Sequence, residues 1–274
     1  MGMGTRRAGA NGAIPALLLA ALVLPSFLQA ASEGDPAGAS GDIRFVVDAV
    51  SFPRSAGEVH EEVYLLIPNK DLRFEPGESG ISEAEIRVRF RFRAWPTGET
   101  ILVRAIDALL PMSPPDGEDD LQVLQHSFPL PEGPYELRVE VEDRKTLGFG
   151  FFHLFWRRPK RGRAVGHFQA KGCRAHDLSI SDIQLARSVE ADSESEFAKG
   201  GVEVIPQPNR LYGALMPVLS FYYEVYDLTE GRDPAGEPYH VMHRVVDAGG
   251  AAVLEERQAL DAAPGITRFR RSGA

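Results

Sequence analysis

Several groupings of residues in this chain carry side chains suited to catalysis, metal binding or recognition. His60-Glu61-Glu62-Val63-Tyr64 opens like the His-Glu-x-x-His helix of a zinc protease. That motif needs a second histidine one helical turn on, where this chain has Tyr64, and the surrounding residues follow the period of a strand, so the metalloprotease reading fails. His240 and His243 are three apart; on a strand that offset points them to opposite faces, and joint metal ligation is disfavoured. Asp116-Gly117-Glu118-Asp119-Asp120 gathers the carboxylates from which a loop could build a calcium site, but without EF-hand spacing. A solvated acidic turn is the plainer reading there, and also for Asp192-Ser193-Glu194-Ser195-Glu196. Cys173 is the only cysteine. Lys171, Arg174 and His176 beside it would favour a thiolate, yet no orienting acid or second cysteine accompanies it, so it reads as a free thiol in a connecting segment.

The remaining grouping concerns binding. In Phe221-Tyr222-Tyr223-Glu224-Val225-Tyr226, strand alternation assigns Phe221, Tyr223 and Val225 to a core and leaves Tyr222, Glu224 and Tyr226 on the outer face. Two tyrosines flanking a carboxylate could hold a sugar or a protein, because tyrosine combines apolar area with a polar tip. These three residues are the candidate partner-binding surface, and packing against a neighbouring domain is the competing reading. No catalytic residue, metal ligand or cofactor is assigned, since no nucleophile elbow, phosphate loop or dinucleotide fingerprint occurs. The expectation is a protein that is not an enzyme.

Such residues need a scaffold, and its type is legible in Ile86-Arg87-Val88-Arg89-Phe90-Arg91-Phe92-Arg93. Strict alternation places every apolar side chain on one face of an extended chain and every arginine on the other, as a half-buried strand requires. Tyr135 to Glu142 repeats the pattern. Residues 42–156 are read as a first β-sandwich with candidate strands Ile43-Ala49, Val59-Ile67, Ser82-Arg93, Thr100-Ile106, Gln122-Phe128, Tyr135-Asp143 and Gly148-Trp156. Tyr135, following Pro131-Glu132-Gly133-Pro134, looks like a tyrosine corner. Residues 157–163, basic and broken by Pro159 and Gly162, are read as a linker, with docking on an acidic lipid or polyanion as the alternative. Residues 164–274 form a second sandwich, with candidate strands Ala164-Gln169, Leu178-Ala186, Val202-Ile205, Val218-Tyr226, Tyr239-Asp247 and Ala252-Arg257. It stops without closing strands, so it is expected to be incomplete, with an edge that could serve oligomerisation. The fold class expected is all-β, two tandem immunoglobulin-like sandwiches.

Ahead of them, residues 1–31 read as a signal peptide: Arg6 and Arg7, an apolar run from Ala13 to Leu24, then Pro25 and small residues. The run is shorter than the ~20 residues of a spanning helix, so no stable membrane anchor is expected after cleavage. Residues 32–41 are a polar, flexible lead-in. Removing Arg6 and Arg7 leaves 28 basic against 39 acidic residues, a net charge of −11, which disfavours nucleic acid as a partner.

Several short segments carry a resemblance: Glu62-Val63-Tyr64 ending in Ile67-Pro68, Leu72-Arg73-Phe74, Gly133-Pro134-Tyr135-Glu136-Leu137, Leu178 to Ala186, Gly201 to Pro206, Pro208 to Gly213, and Phe221 to Asp227. Together they resemble the N-terminal part of GWxTD-domain proteins, exported bacterial proteins of poorly defined function. The Gly-Trp-x-Thr-Asp signature itself is absent; the tryptophans are Trp95 and Trp156. The resemblance implies a periplasmic or extracellular, non-catalytic binding or structural module of the bacterial cell envelope with a protein partner there. An accessory region of a larger envelope enzyme or peptidase, and a carbohydrate-binding module, are the alternatives.

Overall fold

The computed structural model describes residues 34–55, 57–78, 80–112, 121–144, 158–173, 178–191, 194–214, 216–226, 240–259 and 267–273. Expectations placed on residues 1–31, on Asp116-Asp120, on Gly148-Trp156 and on Asp192-Ser193 lie outside them. The chain is all-β, and its sheets are antiparallel. A four-stranded sheet runs β1 (Ala37–Gly38), β3 (Val46–Ser55), β4 (Glu58–Pro68), β8 (Leu121–Pro131). Opposite it lies a six-stranded sheet in the order β2 (Ser40–Gly41), β10 (Arg161–Ala170), β9 (Gly133–Asp143), β6 (Ser82–Ala94), β5 (Glu75–Pro76), with β7 (Thr100–Pro111) also paired to β6.

The alternating segment forms β6 as its pattern requires. Ile86, Val88, Phe90 and Phe92 are fully buried, and they meet Val63, Leu65 and Ile67 of β4, Leu124 and Phe128 of β8, and Leu137, Val139 and Val141 of β9 in one core. Phe128 lies 4.9 Å from both Phe90 and Phe92, ring centre to ring centre. Each such side chain contributes about 1.5–3 kcal/mol by leaving water, so this core carries the first sandwich. The passage from β8 to β9 crosses between sheets within a single residue, Glu132. There the Tyr135 hydroxyl donates to the Pro131 carbonyl at 2.9 Å, the hydrogen bond that a tyrosine corner requires.

One boundary differs from the sequence reading. Arg161–Ala170 is neither linker nor the opening of a second domain, because it pairs with β9 along its whole length, from Arg161 opposite Glu142 to Ala170 opposite Gly133. Ala164, Phe168 and Ala170 complete the first core, while Arg161 and Arg163 turn outward to Glu142 and Glu140. The basic run thus finds its carboxylates on a strand some twenty residues earlier, a pairing that local composition cannot reveal. Gly162 is required where it stands: a Cβ there would lie 2.0 Å from the Ile43 carbonyl oxygen.

The later strands build a third sheet, β11 (Ser179–Ile180), β15 (Leu219–Tyr226), β12 (Gln184–Ala191), β14 (Val202–Pro206), β13 (Ala198–Lys199), with β18 (Thr267–Gly273) also on β15. A hairpin follows, β16 (His240–Val246) with β17 (Ala252–Ala259). Ala186, Val204 and Tyr222 of the third sheet pack on Val50 and Phe52 of β3 and Tyr64 of β4, so the outward face of the four-stranded sheet is covered as well. For that reason β4 is buried on both sides, unlike the alternating β6. Among the described residues, no helix is long and apolar enough to cross a membrane.

Candidate functional site

Where the third sheet meets β3 and β4, polar groups are sealed among aromatic rings. Lys199, on the short edge strand β13, sends its side chain inward with only 9% of it exposed. Its ammonium forms an ion pair with Glu62, and donates to Tyr64 Oη at 3.0 Å and Gln184 Oε1 at 2.7 Å. It also lies 4.3 Å from the centre of the Phe52 ring, a cation–π position. Burial pulls the lysine pKa below its ordinary value, against the opposing pull of Glu62. Burial first, then Glu62, push the Tyr64 phenol well above its own, so that it stays a neutral donor to Glu62. A low-pKa amine beside a carboxylate and a phenol is the equipment of acid–base or imine chemistry. Here every ammonium proton has an acceptor, and Phe52, Tyr64 and Tyr222 close the site. A substrate could reach this amine only by parting the two sheets, so its work is to tie them.

A second tie joins Asp48 on β3 to Arg210 in the loop after β14, two nitrogens on two oxygens at 2.7 and 3.0 Å. Arg210 itself stands at φ +51°, a left-handed conformation that side-chain-bearing residues rarely adopt, with its N–H donating to the Gln207 carbonyl. Burial raises the Asp48 pKa, with Arg210 opposing. Sequence reasoning missed Lys199, Glu62, Asp48 and Arg210. The available signal was Glu61-Glu62, which puts a carboxylate on each face of a strand otherwise rich in Val, Leu and Ile.

The other of that pair, Glu61, points into the end of the first sandwich and is fully buried. Its Oε2 lies 2.6 Å from Ser51 Oγ, which is also 3.3 Å from the Gln169 carbonyl, while Oε1 has no hydrogen-bond partner among the described residues. Burial drives its pKa well above 4.5, against the Ser51 hydrogen bond. The folded chain therefore keeps a proton that the unfolded chain gives up above the ordinary glutamate pKa. Stability must fall as pH rises from there towards the folded value, by up to about 1.4 kcal/mol per pH unit. Glu61→Gln should flatten that slope and match or exceed the parent's stability at neutral pH. Urea titrations between about pH 5 and 8 test this; superimposed curves would exclude a neutral Glu61.

Tyr222, Glu224 and Tyr226 do share a face, and the structure brings them together: both hydroxyls donate to the Glu224 carboxylate, each at 2.6 Å. The expected outward direction is corrected. Tyr222 is 0% exposed and Tyr226 is buried, with Tyr222 lying 6.2 Å from the Phe52 ring. The opposite face, expected to be core, is buried at Tyr223 and Val225, and it meets the hairpin. Tyr223 Oη lies 2.7 Å from His243 Nε2, and burial pushes the tyrosine pKa up to about 12. His240, by contrast, is exposed, so the two histidines do point apart. Cys173 is half-buried. Among the described residues, no cluster of three or more His, Cys, Asp and Glu is placed to hold a metal.

Between the hairpin and the third sheet runs a cleft of about 430 Å³, lined by Ile183, Leu185, Phe221, Tyr223, Val241 and Leu254 among others. Its rim is apolar yet open to solvent: Ile180 and Ile183 are 55% exposed and Met242 60%. No protein-family model, curated protein or solved structure matches this chain.

Proposed function

We propose that this is a non-catalytic binding module of the bacterial cell envelope, exported and immunoglobulin-like, related to the N-terminal region of GWxTD-domain proteins, and that it takes a protein partner in the apolar cleft under the β16–β17 hairpin. The observation that carries the reading is that cleft. Contiguous exposed apolar surface is costly in water and marks interaction sites, and this one combines aliphatic anchors with a Tyr–His pair able to orient a ligand. The chemically capable residues elsewhere support it too. Lys199, Glu62 and Tyr64 spend their hydrogen bonds on one another, as Asp48 and Arg210 do. The Tyr135 corner and the arrangement of three long strands against four support the immunoglobulin-like assignment.

Full-length chain immobilised against an envelope extract tests the reading. One protein should be retained in stoichiometric amount, and Ile183→Asp with Met242→Asp should abolish its retention. Both positions are solvent-exposed, so the melting temperature should barely move. Equal retention by parent and variant would exclude the cleft as the binding site.

A further inference from the structure

The outward face of the six-stranded sheet carries charge in cross-strand rows. Reading across β7, β6, β9 and β10, the rows are Asp107-Arg87-Glu142-Arg161, Ala105-Arg89-Glu140-Arg163, Val103-Arg91-Arg138-Val165 and Thr100-Arg93-Glu136-His167. Three of the four set a carboxylate between basic neighbours. Glu140 is shared by Arg89 at 3.2 Å and Arg163 at 2.8 Å, Glu142 holds Arg161 at 2.9 Å, and Arg87 is matched by Asp107 at 2.7 Å. The row Arg91-Arg138 breaks the rule: two arginines are paired directly across adjacent strands, flanked by Val103 and Val165. Arg91 is exposed and has no carboxylate within ion-pair distance among the described residues. Among the described residues Arg138 reaches Glu136 alone, at 3.5 Å, and its buried Nε has no hydrogen-bond partner there. Like charges placed opposite on neighbouring strands repel, so this row stores a demand for an anion.

The surroundings indicate the kind of anion. The four β6 arginines recur every second residue, about 6.8 Å apart, a track about 20 Å long. It ends at Trp95, 51% exposed, whose ring stands edge-on to His167 at 4.7 Å. An exposed indole offers a flat apolar face to a sugar ring, and Glu136, Glu140 and Glu142 can accept hydroxyl hydrogen bonds. Carboxylates interleaved with arginines suit a ligand with many hydroxyls and sparse negative charge better than a dense phosphate surface. The four rows hold seven arginines against four carboxylates, in a chain whose net charge is −9, so the attraction is local to this face.

We infer that this face binds a linear acidic polysaccharide, with an anionic group of the glycan bridging Arg91 and Arg138 and a neighbouring sugar stacked on Trp95. The inference is independent of the apolar cleft, which lies elsewhere on the molecule. The test is calorimetric titration of the full chain with polygalacturonate, with dextran sulfate, with neutral dextran, and with phosphatidylglycerol vesicles. Either acidic glycan, or both, should bind, and neutral dextran and vesicles should not. Arg91→Gln with Arg138→Gln should weaken glycan binding about tenfold or more without lowering the melting temperature, since the exchange relieves a like-charge contact. Trp95→Ala, which leaves every arginine in place, should weaken it too. Failure of both acidic glycans, binding undiminished in the double variant, or vesicle binding as tight as glycan binding would each overturn the proposal.

Discussion

Tyr222→Ala is expected to cost the folded chain about 3–5 kcal/mol, the loss typical of a large aromatic removed from a packed interior. The side chain is completely buried between the third sheet and Phe52, and it is one of six residues forming the apolar seam that joins that sheet to β3 and β4. Its hydroxyl also donates to Glu224. Equilibrium urea unfolding gives the measurement. Tyr222→Phe separates the two contributions: it keeps the ring and removes one donor from the carboxylate, for a smaller loss of about 1–3 kcal/mol. An alanine variant within about 0.5 kcal/mol of the parent, the range of ordinary surface substitutions, would mean that Tyr222 faces solvent after all.

The second large effect falls on Lys199. Lys199→Ala leaves Glu62 as a buried carboxylate with its cation gone, and takes from Tyr64 and Gln184 a shared partner. Breaking a buried pair from one side costs about 3–5 kcal/mol, whereas replacing both members by apolar groups of similar size is often neutral. Lys199→Met combined with Glu62→Leu should therefore recover most of what either single change loses. The double-mutant cycle checks this: additive single losses would show that the two groups do not act on each other in the folded chain. A recovered double variant would identify the pair as a device of specificity, fixing which face of the third sheet docks on β4.

The first sandwich was legible because its strands are wet on one side. Where Arg87, Arg89, Arg91 and Arg93 alternate with Ile86, Val88, Phe90 and Phe92, polarity reports direction residue by residue, and β6 and β9 formed as read. That signal vanishes where both faces are covered. Tyr222, Glu224 and Tyr226 look like a solvent face on polarity alone, and in another setting they would be one. Here Glu224 is satisfied by the two tyrosines, which lets the whole face turn inward. Similarly, Arg161 and Arg163 resemble a linker until Glu140 and Glu142 are seen on the adjacent strand.

Strand class, the turn chemistry that places Tyr135, and which side chains share a face could be read from residue order alone, because backbone pleating and local polarity are properties of neighbouring residues. Which sheet covers which face follows from long-range packing, and with it that Lys199 meets Glu62 across 137 positions of chain and that Arg91 is paired with Arg138 with no carboxylate between them. Such pairings arise when strands distant in sequence are brought into register. Their energies depend on burial and on an opposite charge, neither of which the local pattern of residues contains.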